Sequence, residues 1–332
     1  MTESRLVQLV PALPPPEEGV GNFALTLGGA LAERGFHGRC LAAAALPARR
    51  PDELAAALAA ERTVLLHYVN YGYQRRGCPG WLVEALTRWK AAAPSRRLIT
   101  MFHEVHASGP PWRSSFWLRP RQRQLAARLL RLSDAAVTSL DRYAGILRRW
   151  RRDVAIDVRP VFSTVGEPAA VPPLAERPRR LLLFGGAGVR RRAWEGRQAE
   201  LLAACRGLEI EEVWDAGPPA GAPARLDGSR VRQLGVLPAA EISARLLDVV
   251  AGFTAYPPGF LGKSTAFAAY CAHGVLPVCA WRNGEASGPP PHWSPRRPAP
   301  VDPQAVADAA RAWYAEHSLA RQAAAFAERL RA

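Results

Sequence analysis

The feature that most constrains this chain is the alternation of short, largely apolar runs with stretches of helical spacing. Leu6–Val10, Thr63–Val69, Arg97–Phe102 and Ala135–Leu140 are such runs, and Val20, Phe23, Leu27 and Leu31 show the helical spacing between the first two. A strand apolar on both faces is covered on both faces, which is the habit of parallel strands joined by crossover helices. A second series starts at Leu181–Phe184 and runs through Ile210–Trp214, Val231–Val236, Val250–Tyr256 and Val275–Ala280. The pattern predicts an α/β protein of two Rossmann-like, doubly wound parallel-sheet domains facing each other across a cleft. The first covers 1–163 and the second 181–301. A Pro-rich linker at 164–180 joins them, and a terminal helix at 302–332, opened by Asp302 and Pro303, packs back on the first domain.

With 332 residues there is chain enough for two cores, and 48% hydrophobic against 22% charged residues excludes a disordered chain. Cys40, Cys78, Cys205, Cys271 and Cys279 are far apart, so neither a disulfide framework nor a zinc site is signalled. No apolar run approaches the length of a membrane span. The expected location is the cytoplasm, with no metal and no cofactor.

The formal charge of +15 is uneven. Residues 1–160 hold 24 basic against 13 acidic groups, a net +11, which leaves +4 for the remainder. Only Lys90 and Lys263 are lysines, so much of the excess is a general preference for Arg. It concentrates in 112–152, where eleven Arg face only Asp134 and Asp141, with Trp112, Phe116, Trp117 and Leu118 beside them. Three readings fit: a solvated face, a nucleic-acid footprint, or contact of 112–132 with an anionic membrane at the inner face. No nucleic-acid motif accompanies the charge, so no nucleic acid is expected as partner.

In open parallel sheets ligands lie beyond the carboxyl ends of the strands, and four strand ends carry suitable chemistry. Gly19 and Gly21 open the first helix, where missing side chains let a phosphate or sugar approach, or simply make a tight turn. His103 and Glu104 follow the third apolar run and suit an acid–base role toward a hydroxyl. Asn70 and Tyr71 end the run before it, where they offer amide and hydroxyl groups on the acceptor side. Gly185 and Gly186 precede Arg190-Arg191-Arg192, and guanidiniums suit a diphosphate. Lys263, Ser264 and Thr265 stand between a strand and a helix. Pro257 occupies the place of the first glycine of a P-loop, so the phosphate-binding physics remains without the NTPase motif.

Taken together, the opening PPPEEGVGNFALTLGGALAERGF, FHE at 102–104, LLLFGGAGVRRR, and GVLPAAEISARLLDVVAGFTAYPPGFLGKSTAFAAYCAHGVLPV resemble the GT-B nucleotide-sugar glycosyltransferases, most closely the bacterial group 1 or family 4 enzymes. The resemblance implies transfer of a sugar from a nucleotide-diphosphate donor to a hydroxyl of a glycan, polysaccharide or lipid-linked acceptor, with retention at the anomeric carbon. Gly19 and Gly21 would then meet the donor phosphates or sugar, Arg190 and Lys263 the diphosphate, and His103 the acceptor side. Two glutamates usual in that family are replaced by Leu261 and Ala269. That departure leaves open a catalytically silent sugar- or nucleotide-binding protein, and the charge alone leaves open a nucleic-acid-binding protein.

Overall fold

The computed structural model describes residues 4–14, 19–107, 109–281, 290–296 and 301–331. The chain divides into two compact units, 1–160 with 319–332, and 161–318. Parts of the polar loop at 282–302 and of the Pro-rich stretch before Gly19 lie outside the described residues.

In the first unit six strands form a fully parallel sheet: β1 Ser4–Val10, β2 Phe36–Ala42, β3 Thr63–Tyr68, β4 Arg97–Phe102, β5 Ala135–Thr138 and β6 Ile156–Val158. Their order is β2-β1-β3-β4-β5-β6. The winding therefore reverses between β1 and β3, and this is the point where a parallel sheet opens a crevice at its carboxyl edge. Val64, Leu65, Leu66, Leu98 and Ile99 are fully buried regardless of which face they point to, as the unbroken apolar runs require.

The second unit repeats the plan with β7 Arg180–Phe184, β8 Glu212–Ala216, β9 Arg225–Leu226, β10 Ser229–Gly235, β11 Ala251–Thr254 and β12 Leu276–Cys279. The order is β12-β11-β7-β8-β10-β9, parallel except for the short β9, and the winding reverses between β7 and β11. The α/β, doubly wound class read from the sequence is the class observed.

Residues 164–180, read from composition as a linker, are packed into the second unit. Leu174 is buried there, and so is Arg177, whose guanidinium donates to the carbonyls of Pro172, Leu246, Val249 and His273. These include the ends of helices 239–247 and 265–272, whose last carbonyls lack partners within their own helix. Burial lowers the Arg177 pKa to about 10.

The terminal segment is two helices instead of one. Pro303–Ala315 is capped by Asp302, which accepts from the amides of Gln304 and Ala305, and stays with the second unit. Leu319–Arg331 belongs to the first unit, where Arg329 grips Asp157 through two bonds of 2.7 and 2.8 Å and the Arg329 carbonyl accepts from Arg97. No Gly or Pro marks the break at 316–318, so residue chemistry did not announce it.

His273 ends the helix beneath Arg177. Its Nδ1–H donates to the Ala269 carbonyl at 2.8 Å, and its Nε2 lies 2.8 Å from the Ser243 hydroxyl. Burial, outweighing that hydrogen bond, lowers its pKa from 6.5 to about 4. The unfolded chain takes up this proton near pH 6.5 and the folded chain only near pH 4, so acidification through that window favours unfolding. Between pH 7 and pH 5 the His273 contribution amounts to a loss of roughly 2 kcal/mol. Buried His67 acts with the same sign. Urea denaturation at the two pH values measures the loss, which is smaller in His273→Gln.

Candidate functional site

At the carboxyl edge of the first sheet, three polar side chains join neighbouring strands. Gln8 in β1 donates from Nε2 to the Ala24 carbonyl at 2.9 Å, and its Oε1 lies 2.9 Å from His67 Nε2 in β3. His67 Nδ1 is 3.2 Å from Nε2 of His103, which leaves β4 with its own amide bonded to the Tyr68 carbonyl. Phe23 sets its ring edgewise against both imidazoles. Burial, with the neighbouring His103 a lesser cause, holds the His67 pKa well below the ordinary value. His103 is almost buried, and Glu104 beside it is half-buried.

The glycines of the first helix divide in role. A Cβ on Gly19 would meet nothing within 4 Å, whereas one on Gly21 would stand 2.6 Å from the Ala12 carbonyl oxygen and 3.2 Å from Leu13 and Pro14. Gly21 is therefore where the loop after β1 crosses the helix, and its space is filled by backbone. This corrects the expectation of a phosphate contact at Gly21 and leaves Gly19 open.

Asn70 is corrected in the same way. It is fully buried, and its Nδ2 donates to Gln122 Oε1 at 3.0 Å. Gln122 Oε1 also accepts from the Ala107 amide, and Gln122 Nε2 donates toward the Tyr71 hydroxyl and the Arg76 carbonyl at 3.3 Å. Tyr71 keeps about a third of its surface exposed, at 38%. Tyr68 packs edgewise on Phe102 in the core.

In the second unit, Gly185 leaves β7 at φ +114°, a conformation open to glycine, and a Cβ there would meet nothing. Gly186 is the N-terminal cap of helix 187–196 and offers no capping side chain. Arg190 is corrected. It is 2% exposed and paired with Asp215, 3% exposed, at 2.7 Å. Its Nε donates to the Gly185 carbonyl at 2.8 Å and its Nη2 to Pro218. Trp194 Nε1 supplies a longer bond to Asp215 at 3.3 Å. The guanidinium braces the loops after β7 and β8 and is turned inward, its donors taken up by the protein.

Beyond β11, Pro258–Lys263 forms a 3-10 turn. Ser264 is buried and caps helix 265–272, its hydroxyl accepting from the Phe267 amide at 3.2 Å, so that oxygen serves the fold. Thr265 is half-buried as the first helical residue, and Lys263 stands just before the cap. Arg192 lies over the Tyr256 ring at 5.6 Å, which brings helix 187–196 against the loop after β11 at the point where the winding reverses. Leu261 and Ala269, at the places of the two glutamates, are completely buried.

Sequence reasoning passed over Gln8, Gln122 and Asp215. For Gln8 and Asp215 the available signal was a polar residue interrupting an apolar strand, as in LVQLV and EVWDA; Gln122, in the Arg-rich helix 114–132, carried none. Among the described residues no group of three His, Cys, Asp or Glu is placed to hold a metal ion.

No protein-family model and no curated protein sequence matches this chain. Solved structures do. An α-glucosyltransferase in complex with UDP aligns over 83% of this chain and 80% of its own, at 13% identity and a TM-score of 0.54. The α-glucosyltransferase with UDP-glucose and DNA containing an abasic site aligns over 84% and 80%, at 12% identity and 0.52. A protein assigned as a UDP-N-acetylglucosamine 2-epimerase from Listeria monocytogenes aligns over 84% and 79%, at 13% identity and 0.52. The fold of this chain is thus the α/β fold of these structures, GT-B.

Burial of the Arg190–Asp215 pair gives a direct expectation. Asp215→Ala leaves an unpaired guanidinium in the core and lowers stability by about 3–5 kcal/mol. Arg191→Ala, on the exposed side of the same helix, changes stability by less than about 0.5 kcal/mol. Chemical denaturation of both variants measures the difference.

Proposed function

We propose that this protein is a glycosyltransferase that moves a sugar from a nucleoside-diphosphate sugar to a hydroxyl acceptor. The observation that carries the reading is the carboxyl edge of the second sheet. Where the winding reverses, an open glycine at φ +114°, a helix N-terminus capped by glycine and a lysine-bearing turn meet at the end of a parallel sheet. Backbone amides at a helix start favour an anion, and a diphosphate is the anion common to donors of this class. Gly185, Gly186, Lys263 and Thr265 would hold it, with Arg190 fixing the loop from behind. Positive groups there stabilise the charge that develops on the departing nucleoside diphosphate. His103 and Glu104 of the first unit would meet the acceptor or the transferred sugar, with Gly19 leaving room beside them. The reaction is expected to proceed in the cytoplasm without a cofactor or metal, and with retention.

The presence of an epimerase among the fold neighbours supports a second reading, rearrangement of the sugar on its nucleotide. The two readings differ in product, because transfer releases the nucleoside diphosphate and epimerisation keeps it attached.

A thermal-shift series with nucleoside diphosphates is expected to raise the melting temperature for at least one base, with a smaller rise in Lys263→Ala. No shift with any nucleotide overturns the donor reading. Diphosphate release on adding candidate acceptors then separates transferase, epimerase and a silent binding protein.

For the acceptor, the reading extends to an anionic bilayer bearing a lipid-linked hydroxyl. Helix 114–132 carries no acidic residue, and none lies between Glu104 and Asp134, a stretch with six Arg. Trp112 and Trp117 are 83% and 72% exposed, the second held by a 2.8 Å bond from its Nε1 to the Pro111 carbonyl. Aromatic rings beside guanidiniums suit the headgroup region. Sedimentation with phosphatidylglycerol vesicles is expected, abolished by salt and weakened in the double variant Trp112→Ser, Trp117→Ser. Equal binding to neutral vesicles, or preferential retention on DNA, overturns it.

A further inference from the structure

Strand pairing in the first sheet sets three residues in one row at its carboxyl edge. Met101 is paired with Val137 and Val137 with Asp157, and two positions further along each strand stand His103, Ser139 and Arg159. The ladder reaches that far, for the His103 amide donates to the Tyr68 carbonyl at 3.0 Å and the Arg159 amide to the Thr138 carbonyl at 2.7 Å. Side chains two apart on a strand share a face. Arg97 and Asp157 mark that face, since both bond Arg329 of the helix Leu319–Arg331. His103, Ser139 and Arg159 therefore point to the same side of the sheet. Neighbouring strands lie about 4.8 Å apart, which sets Arg159 about 10 Å from His103 with Ser139 midway.

The row ends in polar groups that the fold leaves unanswered. Ser139 is 1% exposed, and its hydroxyl is enclosed without a hydrogen-bond partner among the described residues. The same holds for Nε of the half-buried Arg159 and for Oε1 of the buried Gln322, whose Nε2 donates to the Pro160 carbonyl at 2.5 Å. Asp157, the carboxylate of β6, has both oxygens taken by Arg329. Arg190 in the second unit shows the contrast, an enclosed guanidinium supplied with a carboxylate and two carbonyls. Enclosed polar groups without partners cost stability, and three of them beside one strand end call for a ligand. We propose that Ser139 and Arg159 form a subsite for a phosphoryl group carried by the acceptor, with Gln322 taking a hydroxyl of the same molecule. A hydroxyl and a guanidinium are donors suited to anionic oxygens. The amide oxygen of Gln322 can only accept, so the group that meets it is a donor, as a sugar hydroxyl is. A hydroxylated ring charged at one end then presents its other end toward His103. That acceptor role rests on the transferase reading above, whereas binding of the anion does not.

The test is titration calorimetry on the full-length protein, without nucleotide, using inorganic phosphate, glucose 6-phosphate, uncharged glucose and phosphatidic acid vesicles. An anionic probe is expected to bind, and glucose to bind at least about tenfold more weakly than glucose 6-phosphate. Arg159→Gln is expected to weaken the anionic probe about tenfold or more and to leave glucose unchanged, with part of the loss restored in Arg159→Lys. Ser139→Ala is expected to weaken it less, and serves should Arg159→Gln fail to fold, which circular dichroism reports. Phosphate held at the glycine loop of the second unit is recognised by its loss in Lys263→Ala, a change that leaves the Arg159-dependent signal in place. Loss of glucose 6-phosphate binding in Arg159→Gln supports the subsite and assigns it to a soluble acceptor. Loss of phosphatidic acid binding, with glucose 6-phosphate bound weakly throughout, supports it and assigns it to a lipid-borne one. No binding of any anionic probe, equal binding of glucose and glucose 6-phosphate, or anion binding unchanged in folded Arg159→Gln and Ser139→Ala proteins overturns the subsite. A protein that binds phosphate through Arg159 and responds to no nucleotide keeps the subsite and loses the transferase reading, while one that responds to nucleotides and binds no anion through Arg159 loses the subsite alone.

Discussion

Arg190 and Asp215 are two full charges taken out of water, and the carboxyl edge of the second sheet hangs on how they are reconciled. Their mutual attraction does not by itself repay the loss of hydration. The remaining valences are filled by the Gly185 and Pro218 carbonyls and by Trp194, all of them at the ends of β7 and β8 or on the helix between them. A buried pair satisfied in this way fixes the backbone that satisfies it. Gly217 shows how tightly, since a Cβ at that residue would lie 2.5 Å from the Gly185 carbonyl and 2.6 Å from the guanidinium. The glycine loop proposed to hold a diphosphate is therefore fixed from below, while a Cβ on Gly185 would meet nothing within 4 Å.

The first sheet ties its own carboxyl edge with polar side chains. Its carboxyl edge is spanned by Gln8, His67 and His103 in one line, and by Asn70, Gln122 and the 106–107 backbone in another. Tyr73 adds a third tie by donating to the carbonyls of Leu9 and His67, on the two strands between which the winding reverses. Polar groups inside a parallel sheet are tolerable where they are partnered, and the bonds these side chains make stiffen the edge that carries His103.

The layering and strand order of the fold were legible because they follow from periodicity. TVLLHYV and RLITMF admit few alternatives to buried parallel strands, and the helix-spaced WLVEALTRWKA between them supplies the crossover. The site was legible only as positions. Gly185, His103 and Glu104 stand at strand ends, and Lys263 between a strand and a helix, as their neighbours in sequence imply. Which residues face outward was not legible, because Arg190 and Arg191 look alike in sequence while a partner 25 positions away, Asp215, draws only the first inward. Asn70 and Ser264 were misread for the same reason: their partners, Gln122 and the Phe267 amide, are set by tertiary contact and helix capping. The terminal helices hid their break because Glu316, His317 and Ser318 carry none of the usual stop signals.

The chain passes from the first unit to the second after residue 160 and returns after residue 318. The helix Leu319–Arg331 then packs on the helix Gly19–Ala32 and clamps Asp157 and Arg97. During synthesis the second unit is thus complete before the first, whose opening helix must wait, with one flank uncovered, for a segment made some 290 residues later. On a ribosome, of these two units the one started first closes second.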